Sequence, residues 1–242
     1  MSTETEDALA KYTPFIVEIR KRLLFLLSVL LISGSLGFIY YQRIITVILD
    51  FFNLEGVNIV STSPFQFMNL AITSGFLTGI VIAFPVLLFQ VLTFLKPALH
   101  SKEYRTVVAL LPVTTLLFLG GFAFGVVTMR YVVILFYQRS SELQIGNFLD
   151  ISLLLSQILL TAVLMGLAFQ FPIILTILMR LKVINYKMLI KKRLLVYAIS
   201  LIFATLLPPT DLLSLVVLFL PLALLFELTL ILNRWVLKSH IL

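Results

Sequence analysis

Six apolar stretches dominate this chain, at residues 23–41, 67–95, 106–129, 151–179, 194–207 and 212–232, and Glu227 is the one charged side chain inside them. About 20 such residues cross the roughly 30 Å of hydrocarbon in a bilayer. Within that hydrocarbon only helices and closed barrels satisfy their own backbone. Composition points the same way: the chain is 61% hydrophobic and 12% charged, whereas soluble domains are about 45–50% apolar and about 25% charged. Too little polar surface remains to cover a water-soluble globule. The expected fold is all-α, a polytopic integral membrane protein with six transmembrane helices.

Lengths and prolines refine this. At 1.5 Å per residue the second and fourth stretches would be about 43 Å long, so they must tilt, curve or project. Pro85 and Pro172 supply bend points, because each removes a helix hydrogen bond. The fifth stretch is short for a crossing helix, and beside two over-long ones it implies thinned lipid or a cavity. Six spans place fifteen of the eighteen Lys and Arg on one side, leaving Arg43, Arg130 and Arg139 on the other. By the positive-inside rule both termini are then cytoplasmic. Residues 1–12 form a polar, acidic tail (Glu4, Glu6, Asp7) unlike a cleavable signal. Residues 13–235 form a single membrane domain, and 236–242 a short tail. On the outer side, 44–53 (IITVILDFFN) reads as a short amphipathic interfacial helix, and 138–147 as a polar connection. No internal repeat is evident, which weighs against repeat-built transporters.

Little in the chain suggests chemistry. There is no cysteine, hence no thiolate site, and no phosphate-binding, zinc-protease or serine-hydrolase motif is present. His100 and His240 sit at helix ends, not among ligands. No enzyme, cofactor or metal is expected, and the basic excess is read as cytoplasmic loops, not a nucleic-acid surface. The acids are more informative. Past the tail, only Glu18 and Glu103 stand among the cations of the cytoplasmic face. Such a pair suits a cationic peptide, because carboxylates accept bidentate guanidinium bonds. The competing account is local neutralisation, Glu18 with Arg22 at i,i+4 and Glu103 with Lys102 or Arg105. Glu227, Gln66, Gln90, Gln157 and Gln170 are polar groups at membrane depth, and each calls for an interhelical partner or a wet cavity. Gly75, Gly79, Gly120, Gly121 and Gly166 are read as close-packing positions.

These residues fall in a familiar order. Residues 15–23 (FIVEIRKRL) resemble the HLxELRxRL segment of TatC, the polytopic subunit of the twin-arginine protein translocase, with Glu18, Arg20, Arg22 and Leu23 matching. Ser63, Pro64 and Phe67 resemble its SPxExF, with Gln66 in place of the acid. Ala83, Pro85 and Phe89-Gln90 are similar to AxPxxxYQ. Phe94 and 97–105 (PALHSKEYR) resemble the FxxPxLxxxER loop. Gly166, Phe169 and Pro172 match GxxFExP with Gln170 for the acid. Lys191 to Arg193, Pro209, Asp211, Ser214, Pro221 and Glu227 follow the family's last third. The likeness spans about residues 11–235.

The resemblance implies a concave six-helix receptor that binds the twin-arginine signal peptides of folded cargo. Glu18 and Glu103 would partner the two arginines, with Arg20, Arg22, Phe94 and Arg105 shaping the site. Gln170, Glu227 and Gln90 would be intramembrane polar or partner contacts, and Pro64, Pro85, Pro172, Pro209 and Asp211 structural or cap positions. It also implies TatA- and TatB-like single-span partners, homo-oligomers within the receptor complex, the protonmotive force as driver, and the cytoplasmic membrane or its organelle equivalent as location. Met129 stands where the family has proline, which implies a different bend of the outer cap. A secondary transporter or small-molecule permease is the alternative, motivated by the over-long spans and Gln170.

Overall fold

Apolar residues surround most of the long helices on every side, the pattern of helices solvated by lipid and by one another. The computed structural model describes residues 3–52, 58–60, 63, 65–95, 108, 111–142, 148–180 and 183–236. In chain order these form α1 (Thr3–Ile39), α2 (Tyr41–Phe52), β1 (Asn58–Val60), α3 (Gln66–Leu95), α4 (Leu111–Glu142), β2 (Phe148–Asp150), α5 (Ile151–Ala168), α6 (Phe171–Arg180), α7 (Tyr186–Lys191), α8 (Arg193–Leu206) and α9 (Leu212–Val236). Among the described residues, five segments are long and apolar enough to cross a membrane: Ile16–Ile39, Gln66–Val91, Leu111–Phe136, Ile151–Met179 and Leu212–Arg234. The sixth, α8, has 14 residues and is about 21 Å long. It is the short crossing expected from the sequence.

The fourth span is the hub. Its apolar window is 56% buried, against 11% for the first, and α5 or α6 contributes to every buried cluster. It is also broken. The Gln170 N–H bonds to Leu167 O at 3.0 Å, an i−3 contact, and Pro172 has no N–H to continue the ladder, so the helix turns between Ala168 and Phe171. Pro85, by contrast, sits inside an unbroken α3.

Glycines set two close helix contacts. A β-carbon on Gly75 would lie 2.8 Å from Gly34 O, and one on Gly79 3.0 Å from Leu30 O, so α1 and α3 touch backbone to backbone. On the other seam, a β-carbon on Gly121 would lie 2.6 Å from Met165 O and one on Gly125 2.7 Å from the Ala162 Cα. Small residues give lipid-embedded helices this approach, where dispersion replaces a hydrophobic driving force. Phe84 of α3 stacks on Phe118 of α4 at 4.3 Å and links the two pairs.

Three features differ from the sequence expectation. The third span does not end near Met129. α4 runs through it to Glu142, and Met129 is buried among Leu70, Leu155 and Ile158. Arg130, which suggested a boundary, lies over the Phe51 ring with its guanidinium carbon 5.0 Å from the centroid. The amphipathic helix is present as α2, but Ile45 and Phe52 on its apolar face pack into the bundle. Finally, β1 and β2 pair in parallel, Asn58 with Phe148 and Val60 with Asp150. This ladder ties the connection before α3 to the start of α5.

Candidate functional site

α1 and α3 run antiparallel, so the glycine seam between the last turns of α1 and the first half of α3 also brings the middle of α1, at Glu18 and Arg22, against the last turns of α3. Glu18 and Arg22, four apart, share a face of α1. Arg22 Nε and NH2 donate to Glu18 Oε1 at 3.0 and 2.5 Å. Its NH1 donates to the main-chain oxygen and to Oε1 of Gln90, each at 2.9 Å. Its guanidinium carbon lies 5.9 Å from the centre of the Phe94 ring, within cation–π range. Beside this cluster is an open hollow of about 380 Å³ lined by Glu18, Lys21, Arg22, Phe25, Gln90 and Thr93. Arg20 is exposed on the same helix.

The local neutralisation of Glu18 by Arg22 is therefore realised, on one carboxylate oxygen and at a partly exposed site. Glu18 is 45% and Arg22 21% exposed at the side chain. Gln90 belongs to this cluster, a connection no spacing announces because it lies 68 residues from Arg22. Glu103, Arg105 and Pro64 lie outside the described residues.

Two further polar groups sit deeper. Glu227 accepts a short hydrogen bond from the Tyr197 hydroxyl on Oε1, and Arg193 stands 3.5 Å from its Oε2. Both partners are on α8, so this acid joins α8 to α9. Gln170, at the break between α5 and α6, donates from Nε2 to Thr114 O at 3.1 Å and to Gly166 O at 3.4 Å. Among the described residues its buried Oε1 has no hydrogen-bond partner.

At the opposite end the groups are structural. Asp211 caps α9, accepting from Ser214 N on Oδ1 at 2.8 Å and from Ser214 Oγ on Oδ2 at 2.5 Å. Next to Pro209, the Pro208 carbonyl accepts from Thr161 Oγ1 at 2.5 Å, which fixes the turn to α5. Gln66 donates to Asp150, and Asn69 to Ser152 at 3.1 Å. These partners of Gln66, Glu227 and Gln170 were not legible from sequence.

A family model described as Sec-independent protein translocase protein (TatC) matches residues 14–221. The chain belongs to the TatC family. It is 31% identical over 226 residues to the translocase protein TatCy of Bacillus subtilis, covering 90% of this chain and 87% of that one. To TatC of Aquifex aeolicus it is 27% identical over 226 residues, covering 92% and 94%. A crystal structure of the twin-arginine translocase receptor TatC in the detergent DDM superposes with a TM-score of 0.80 at 27% identity, covering 90% of this chain and 98% of that one. As a TatC protein, this chain is a multi-pass membrane component of the Sec-independent protein translocase. It is a transport subunit, not a catalyst, and the solute-permease alternative falls away. Within this TatC fold, Glu18, Arg22, Gln90 and Phe94 form one cluster, while Gln170 and Glu227 occupy separate interhelical positions.

Proposed function

We propose that this chain is the receptor subunit that binds twin-arginine signal peptides of folded precursors at the end of the bundle formed by α1 and α3. The observation carrying this reading is the convergence of the Glu18 carboxylate, the two Gln90 oxygens and the Phe94 ring on a single guanidinium, here that of Arg22. A surface that already accommodates one arginine side chain has the chemistry to receive another. Glu103, which follows α3 in the sequence, supplies the second anion for the second arginine, with Arg20 and Arg105 shaping the site. The excess of basic residues at this end makes it the cytoplasmic side of the inner membrane, the side on which folded precursors arrive. TatA- and TatB-like single-span proteins and further copies of the chain complete the complex, and the protonmotive force drives it.

The test is photocrosslinking of a twin-arginine signal peptide to the protein in membranes. Alanine at Glu103 abolishes the crosslink and alanine at Glu18 weakens it, with membrane insertion intact. Undiminished crosslinking in both variants overturns the receptor assignment.

A further inference from the structure

The Arg22 guanidinium has all three nitrogens engaged. Nε and NH2 lie on Glu18 Oε1, and NH1 lies on both oxygens of Gln90, beside the Phe94 ring. We propose that Arg22 is an internal stand-in for a ligand arginine, holding the Glu18 and Gln90 acceptors until an incoming guanidinium displaces it. This inference rests on the receptor reading and adds a gate to it.

Three observations carry it. The acceptors fit a planar fork, as their present occupant demonstrates. The cluster is partly exposed at the protein surface and adjoins the hollow of about 380 Å³, so exchange requires only a side-chain rotation and not an opening of the bundle. Lys21 also lines that hollow, yet it is Arg22 that bridges α1 to α3. An ammonium is a point charge and cannot hold a carboxylate and two carbonyl oxygens from three separate nitrogens. The exchange is thus arginine for arginine. A lysine ligand offers three donors from one nitrogen but no planar fork, so it is the weaker competitor of Arg22, and the internal occupant sharpens selectivity.

The experiment uses the full chain in lipid nanodiscs, with a fluorescent twin-arginine signal peptide and its twin-lysine counterpart as probes. Arg22→Met vacates the acceptors. If Arg22 occupies them about nine-tenths of the time, the variant binds the twin-arginine peptide about tenfold tighter, and the twin-lysine peptide gains little. In wild-type protein carrying ¹⁵N-arginine, the Arg22 Nε–H resonance, assigned by its loss in Arg22→Lys, moves toward that of an exposed arginine on saturation with the twin-arginine peptide. Equal or weaker binding by Arg22→Met overturns the proposal. If that variant does not fold, the resonance decides alone, and an unmoved signal overturns it. The receptor reading fails differently: wild-type protein then shows no preference for the twin-arginine peptide, and Glu103→Ala changes nothing.

Discussion

Gln66 donates its side-chain amide to the Asp150 carboxylate at 2.5 Å, joining the first turn of α3 to the residue that caps α5. The motif this segment resembles carries an acid at that place. An acid here would meet a second carboxylate, so the amide is the chemically complementary choice for this chain.

Gln66→Glu therefore removes a donor and adds a like charge at a buried position. The expected loss is about 2–3 kcal/mol, read as a lower unfolding temperature in detergent. Asp150→Asn in the same chain restores most of it, since asparagine still caps α5, and a double-mutant cycle measures the coupling. The single variant recovers as pH is lowered, because one shared proton supplies the missing donor.

Neighbouring glycines separate packing from propensity. A β-carbon on Gly120 meets nothing within 4 Å, whereas one on Gly121 lies 2.6 Å from Met165 O. Gly120→Ala is accordingly neutral or stabilising by up to about 1 kcal/mol. Gly121→Ala costs about 1–3 kcal/mol by prising α4 from α5. Thermal unfolding of the two variants side by side checks the contrast, and equal effects would contradict the seam.

Gln170 presents a buried oxygen without a partner among the described residues, so its removal is cheap. Gln170→Leu loses two amide contacts but also the orphaned acceptor, and the net change is expected within about 1 kcal/mol. Gln170→Glu sets an acid against the carbonyls of Thr114 and Gly166 and is the less stable of the two at neutral pH, because an unpaired charge at this depth is expensive. Comparing the unfolding temperatures tests the order.

Glu227 relies more on Tyr197 than on Arg193. Tyr197→Phe deletes the short hydroxyl bond and costs about 1–2 kcal/mol. Arg193→Ala, which removes a side chain 44% exposed whose NH2 lies 3.5 Å from the carboxylate, costs less than about 1 kcal/mol. The reverse order in chemical denaturation would overturn this account of the α8–α9 contact.

What the sequence disclosed follows from the range of each signal. Apolar length revealed the spans, and i,i+4 spacing revealed the Glu18–Arg22 pair, because both are local. Gln90 on Arg22, Gln66 on Asp150 and Tyr197 on Glu227 join distant helices, which no single-sequence period encodes. The β1–β2 ladder is three residues long on each side, too short for alternation to register. Arg130 misled for a different reason: a cation was read as the end of a span, whereas the Phe51 ring receives it within a continuing helix.

The two glycine seams each join helices that are consecutive among the spans, α1 with α3 and α4 with α5. During synthesis the first hairpin has its backbone match as soon as α3 leaves the ribosome, before any later span exists, and the second closes likewise when α5 follows α4. The chain is thus built to enter lipid as two ready-made pairs. The break at Gln170 and the helices α6 to α9 that follow it are left to join a scaffold already standing.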